Sequence, residues 1–284
     1  MMEQTEMDIF SEKKEKLLEQ LKRETQKSVC LALSGGVDSS LLAALIGKCA
    51  EENGTKAYGV TFDTVLHPAA DMTAAQKAAE EGGLLHKVIA VNELEFEKIR
   101  NNPEDRCYIC KKGLFQKLLE FAESHGIATI YEGSNYDDLS QYRPGMKAVK
   151  ELGISSPLLE HGFTKKEIRE WAAQLGISSA SRPSSPCMAT RLPYGTELDL
   201  FTLRRIEAAE EALKELGFGV VRVRLHKDVA RLEIPVEQFS QAVEQAVLIK
   251  NEGIGFSVYY PGSGRISQRE YGSLKAENRV GSNS

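Results

Sequence analysis

The chain has 284 residues, 42% of them hydrophobic and 27% charged, with a formal net charge of -5. This is the balance of a globular protein able to bury a large core, as one large domain or two unequal ones. It argues against a broad nucleic-acid footprint, and no apolar run approaches the roughly 20 residues needed to span a bilayer. The first 27 residues mix Glu and Lys without an apolar core, unlike a signal peptide, and predict a helix with Ile9, Leu17, Leu18 and Leu21 on one side. A cytoplasmic location is expected, where the five cysteines stay reduced unless they hold metal or do chemistry. Strands are predicted at 29–33, 57–61, 84–91 and 128–132, and helices at 39–52, 68–81, 103–124 and 165–175. Such alternation predicts an α/β fold, a parallel sheet with helices on both faces, whose ligands sit at the carboxyl ends of the strands. A smaller α/β domain is expected over 196–284, after a first domain over 1–195. It comprises a helix at 198–216 stopped by Gly217, strands at 220–225, 230–234 and 256–260, and a helix at 236–250. The polar tail 275–284 is expected to be disordered.

The first strand runs into Ser34-Gly35-Gly36-Val37-Asp38-Ser39-Ser40, and a buried helix follows. Strand, glycine-serine turn and helix together form an anion cradle. Glycine lets backbone N–H groups approach phosphate, the helix N-terminus adds its dipole, and serine hydroxyls can cap the helix or donate to phosphate. The run lacks the Gly-Lys-[Ser/Thr] ending of the Walker type. It resembles the pyrophosphate loop of the ATP pyrophosphatases, which adenylate a substrate and release pyrophosphate.

Cys30 and Cys49 fall in the first strand and first helix, as packing residues. Cys107 and Cys110 stand three apart at a helix start beside Lys111 and Lys112, where the helix terminus and cations favour thiolate. Cys187 lies in a proline- and serine-rich loop between Arg182 and Arg191. Three chemistries suit this set: three ligands of a [4Fe–4S] cluster with the fourth iron open, a redox dithiol with a separate nucleophile, or a zinc site in need of a fourth ligand. The plain alternative is three inert thiols. The five histidines form no visible cluster in the sequence.

Further segments join the loop in one pattern: Glu132-Gly133-Ser134-Asn135-Tyr136-Asp137-Asp138, Tyr142-Arg143-Pro144-Gly145, Ser156-Pro157-Leu158, Thr164-Lys165-Lys166-Glu167-Ile168-Arg169, residues 187–195 and Val221-Arg222-Val223-Arg224. Over residues 8–265 the chain resembles the LarE-type sulfur transferases, the pyridinium-3,5-bisthiocarboxylic acid mononucleotide synthases. The resemblance implies that ATP adenylates a carboxylate of pyridinium-3,5-biscarboxylic acid mononucleotide. Sulfur then replaces the activated oxygen, on the way to a nickel-binding pincer cofactor. It implies ATP and Mg²⁺ held by Ser34, Gly35, Gly36, Asp38, Ser39 and Ser40, with Thr61 ending the second strand and Gly133 following the fourth. Asp38 and Cys187 take the catalytic places. Arg222 and Arg224, projecting from one strand face, match the mononucleotide phosphate site, with Arg143 and Arg191 as further anion contacts. One branch of the family sacrifices the sulfur of its single cysteine. The other adds a Cys-X-X-Cys and a [4Fe–4S] cluster, and Cys107, Cys110 and Cys187 match that branch. Ser181 departs from the pattern, which commonly has an acid there. A homohexamer with shared sites is also implied. The rivals are a transfer-RNA thiolation enzyme, an amide-forming synthetase that leaves the three cysteines unexplained, and a nucleotide-binding sensor without catalysis.

Overall fold

The computed structural model describes residues 2–227, 229–245, 249 and 256–258. The chain divides into two compact units, one of residues 1–96 and 105–185, the other of 97–104 and 186–284. Residues 186–195, grouped by sequence with the first domain, thus count with the second unit.

The first unit opens with α1 (Met2–Glu24) and then alternates: β1 (Val29–Ala32), α2 (Val37–Glu52), β2 (Ala57–Thr64), α3 (Ala69–Gly82), β3 (Leu85–Val91), α4 (Arg106–Ser124) and β4 (Thr129–Tyr131). Three short helices close it, α5 (Gly145–Glu151), α6 (Pro157–Glu160) and α7 (Lys165–Gln174). The sheet order is β3-β2-β1-β4 and every pairing is parallel. β1 carries the alternation that builds two cores. Val29 and Leu31 face Leu17 and Leu21 of α1, Leu42 of α2, Ala79 of α3 and Trp171 of α7. Cys30 faces the other way, with Val60, Ile130 and Leu114, Phe115 and Leu118 of α4. Helices therefore cover both faces, as expected from the alternation. On α1 the stripe runs through Phe10 rather than Ile9, which is 49% exposed. Phe10 lies seven residues before Leu17, so two helical turns return it to the same face.

α2 and α3 meet backbone to backbone. A Cβ added at Gly47 would lie 1.7 Å from the carbonyl oxygen of Gly82. The order of the strands reverses about β1, and the loops after β1 and β4 flank the crevice that this reversal opens.

The second unit holds α8 (Leu200–Glu215), β5 (Arg222–His226), β6 (Val229–Glu233), α9 (Phe239–Glu244) and β7 (Phe256–Val258). β5 pairs antiparallel with β6, and β6 parallel with β7. Gly217 stops α8 at φ 94°, where glycine is favoured. The strand expected from Val220 begins at Arg222, and Val220 is exposed. The helix expected from Val236 starts instead as a 3-10 turn, Val236–Gln238, leading into α9. Residues 246–248, 250, 259–260 and 275–284, parts of elements expected from sequence, lie outside the described residues. Among the described residues no helix is long and apolar enough to cross a membrane.

Candidate active site

The turn between β1 and α2 is shaped by the absence of a side chain. Gly35 has φ 70°, and a Cβ there would lie 2.5 Å from the backbone nitrogen of Ala75. Gly36 is the N-cap of α2 and supplies no side-chain cap. The serines expected to cap the helix turn inward instead. The Ser39 and Ser40 hydroxyls donate to the Gly36 carbonyl at 3.1 and 2.9 Å, and Ser34 Oγ lies 3.1 Å from Ser39 Oγ. The first N–H groups of α2 are thereby left to an anion, with the helix dipole behind them. Arg182 braces the turn from outside. It donates to the Gly35 carbonyl at 3.0 Å, to the Ala70 carbonyl at 3.2 Å and to Asp71 Oδ1 at 2.7 Å. Arg169 fixes the same stretch of chain, donating to the Ala180 carbonyl and, at 2.9 Å, to the Arg182 carbonyl.

Asp38 stands in the first turn of α2, and one of its oxygens pairs with Lys165 Nζ. The other accepts from Asn135 Nδ2 at 3.2 Å. Lys165 begins α7, which Thr164 and Glu167 start with a capping box. Its backbone N–H donates to Asp137 at 2.8 Å. Gly133 keeps this corner tight, since a Cβ there would be 3.1 Å from Ser39 N. Arg143 pairs with Asp138 at 2.8 Å and its side chain stays half exposed. No sequence signal points to this role of Lys165, because its target lies 127 residues upstream. The Thr61 side chain is engaged elsewhere. Its hydroxyl donates to the Leu33 carbonyl at 2.8 Å and lies 2.8 Å from His86 Nε2, so it is used within the sheet.

Glu132, at the end of β4, is buried. It accepts from Lys111 Nζ at 2.8 Å, from the Ser134 N–H at 3.0 Å and from the Ser156 hydroxyl. Burial pushes its carboxyl up, but the Lys111 charge and these hydrogen bonds outweigh burial and hold it below the usual carboxylate range. Lys111 thus ties α4 to the carboxyl end of β4, and α4 carries Cys107 and Cys110. Cys107 is exposed, Cys110 half-buried, and Arg106 Nη2 lies 3.7 Å from Cys107 Sγ. Cys30 and Cys49 are buried as expected. Burial alone pushes the Cys30 thiol up to about 12, far from reactive thiolate. Among the described residues no three His, Cys, Asp or Glu side chains gather into a metal-holding group.

In the second unit Cys187 is half-buried at the start of the 3-10 turn Met188–Arg191. Its carbonyl accepts the Thr190 N–H at 3.0 Å and hydroxyl at 2.8 Å. Arg224 donates to the Thr190 carbonyl and, at 2.7 Å, to Glu233, so it stands beside the cysteine turn. Arg222 shares its strand face, half-buried. Arg191 is engaged as well. It is 3% exposed and binds Glu210 through two nitrogens at 2.7 and 2.9 Å. It also donates to the Pro186 carbonyl at 3.0 Å and the Thr190 hydroxyl at 3.2 Å. A buried guanidinium so engaged is a packing ion, not an open anion site.

A parallel sheet with a glycine-serine loop and an uncapped helix at its switch point defines a pyrophosphate-loop, ATP-using enzyme, and the asparagine synthase family profile matches residues 14–107. The chain is 35% identical to the pyridinium-3,5-bisthiocarboxylic acid mononucleotide synthase of Lactiplantibacillus plantarum over 208 residues, 73% of this chain and 74% of that protein. It belongs to that family of ATP-dependent, sulfur-transferring synthases. An uncharacterized protein of Synechocystis sp. is 37% identical over 218 residues, 77% of this chain and 80% of its own length. The tRNA-specific 2-thiouridylase of Rickettsia felis is more distant, 26% identical over 199 residues, 56% of this chain and 53% of its own.

Proposed function

We propose that the chain uses ATP to convert the carboxylates of pyridinium-3,5-biscarboxylic acid mononucleotide into thiocarboxylates. A carboxylate oxygen attacks the α-phosphorus, the bond to the β-phosphate oxygen breaks, and pyrophosphate leaves. A sulfide nucleophile then attacks the acyl carbon and expels AMP. The observation that carries this is the uncapped N-terminus of α2, beside an Asp38 held by Lys165 and Asn135. The free N–H groups suit the departing pyrophosphate, and Lys165 can turn from Asp38 to the phosphates. Mg²⁺ held by Asp38 would neutralise charge on the triphosphate. Arg222 and Arg224 suit the phosphate of the mononucleotide, and Arg143 a further anionic group.

For the sulfur we propose that Cys107, Cys110 and Cys187 together hold a [4Fe–4S] cluster. Two thiols on neighbouring turns of one helix, beside Arg106, suit that donor set. When bound, such a cluster has one iron without a protein ligand, able to carry sulfide. The homohexamer belongs to the same proposal, and light scattering tests it.

The deciding experiment is anaerobic turnover with this mononucleotide, followed by iron and sulfide analysis and intact-protein mass. AMP, pyrophosphate and thiocarboxylate with unchanged protein mass support the proposal. ADP and phosphate refute adenylation. A loss of about 34 Da per turnover, cysteine becoming dehydroalanine, replaces the cluster with sacrifice of Cys187. Retention on transfer RNA at physiological salt, without turnover of the mononucleotide, would favour the thiouridylase chemistry.

A further inference from the structure

Asn102 is fully buried and sits at φ 49°, in the left-handed region that residues other than glycine enter at a cost. Its side-chain amide donates to the carbonyls of Pro193 at 2.9 Å, Leu192 at 3.2 Å and Ala189 at 3.4 Å. Its own carbonyl accepts the Gly195 N–H at 3.1 Å, and two residues earlier the Arg100 carbonyl accepts the Leu198 N–H at 2.7 Å. All of these bonds lie within the second unit, although 87 to 98 residues separate the partners. The segment they grip is the 3-10 turn Met188–Arg191 and its exit, and Cys187 is the N-cap of that turn.

Backbone and side chain at position 102 serve one geometry. Glycine could adopt the angle but has no amide. Aspartate tolerates the angle and has the shape, yet would set a carboxylate against three carbonyl oxygens. We propose that Asn102 is the positioning residue of Cys187, fixing the turn whose first residue is that cysteine, so that the thiol is presented in one orientation. This rests on the part given to Cys187 in sulfur transfer, and its test also reads the thiol directly.

The test compares wild type, Asn102→Gly and Asn102→Asp. Iodoacetamide labelling is followed cysteine by cysteine by peptide mass spectrometry, alongside ATP–pyrophosphate exchange and thiocarboxylate formation. The labelling rate of Cys187 is expected to change by about tenfold or more in both variants, as for loss of one or more buried hydrogen bonds. Cys30 and Cys49, buried in the first unit, stay as protected as in wild type. The KM for ATP in exchange is unchanged and thiocarboxylate formation falls by about the same factor. Wild-type labelling and turnover in both variants overturn the proposal. So does simultaneous opening of Cys30 and Cys49, which would make Asn102 a general fold residue. If wild type exchanges pyrophosphate but forms no thiocarboxylate, the sulfur-transfer reading fails, and the labelling still decides the role of Asn102.

Discussion

Arg191 offers a sharp test, because sequence and structure give it opposite roles. Flanking a loop cysteine, it looks like an anion contact. In the fold it is a buried ion whose four hydrogen bonds stay inside the protein, two of them to Glu210. The exposures of the two side chains, 4% and 6%, put the pair beyond solvent screening. Replacing Arg191 with Met strands the Glu210 carboxylate, whose other bond is the Val223 N–H at 2.9 Å. Breaking a buried pair on one side costs about 3–5 kcal/mol, or roughly two to nearly four powers of ten in the opening equilibrium. Hydrogen exchange in α8 and β5 should accelerate accordingly, since Glu210 lies on α8 and Val223 on β5. The double variant Arg191→Met/Glu210→Met should regain much of the loss, as paired removal leaves no orphan charge. Wild-type protection in the single variant, with specific weakening of mononucleotide binding, would refute the reasoning and restore Arg191 as a substrate contact.

Lys165→Met should raise the KM for ATP by about ten- to a hundredfold, since a charge-assisted contact is worth about 1.5–3 kcal/mol. Its melting temperature should barely move, because Lys165 is one-third exposed; an unchanged KM in pyrophosphate exchange sinks its phosphate role. Arg182→Ala should raise the same KM several-fold by releasing the Gly35 carbonyl, with partial rescue by added guanidinium. No rescue would argue that the defect lies elsewhere. For Glu132 the folded carboxyl lies below its unfolded value of about 4.3, so its ionisation contributes stability above that pH, lost as pH falls through the folded value. Glu132→Gln should therefore be less stable than wild type at neutral pH, with the gap closing in acid. Parallel stability curves across that range would contradict the sign.

Much of the fold was legible because its signals are local. The short apolar runs and the glycine-serine turn are contiguous, so β1, α2 and the phosphate loop could be read from neighbours in sequence. The start of α4 was misplaced at Pro103 for a tertiary reason: residues 97–104 join the second unit, and Asn102 takes a left-handed turn before the helix begins at Arg106. α5 and α6, seven and four residues long, are too short to show a period. The site was legible where a motif is chemistry and backbone together. It was illegible where a side chain acts across the chain, as with Lys165 on Asp38 or Arg182 on Gly35. Arg191, an isolated cation in a loop, looks available until its buried carboxylate is found on α8.

The contact between Gly47 and Gly82 bears on how this protein can vary. Position 47 carries no functional group and lies about 15 Å along α2 from the phosphate end, at 1.5 Å per residue. Even a methyl there must push the two helices apart, and the phosphate-binding turn travels with α2. In a saturation library selected for ATP turnover, Gly47 should therefore tolerate as little change as Asp38, with the loss tracking displacement rather than chemistry. Paired changes that re-space α2 and α3 should be the only route by which that position drifts.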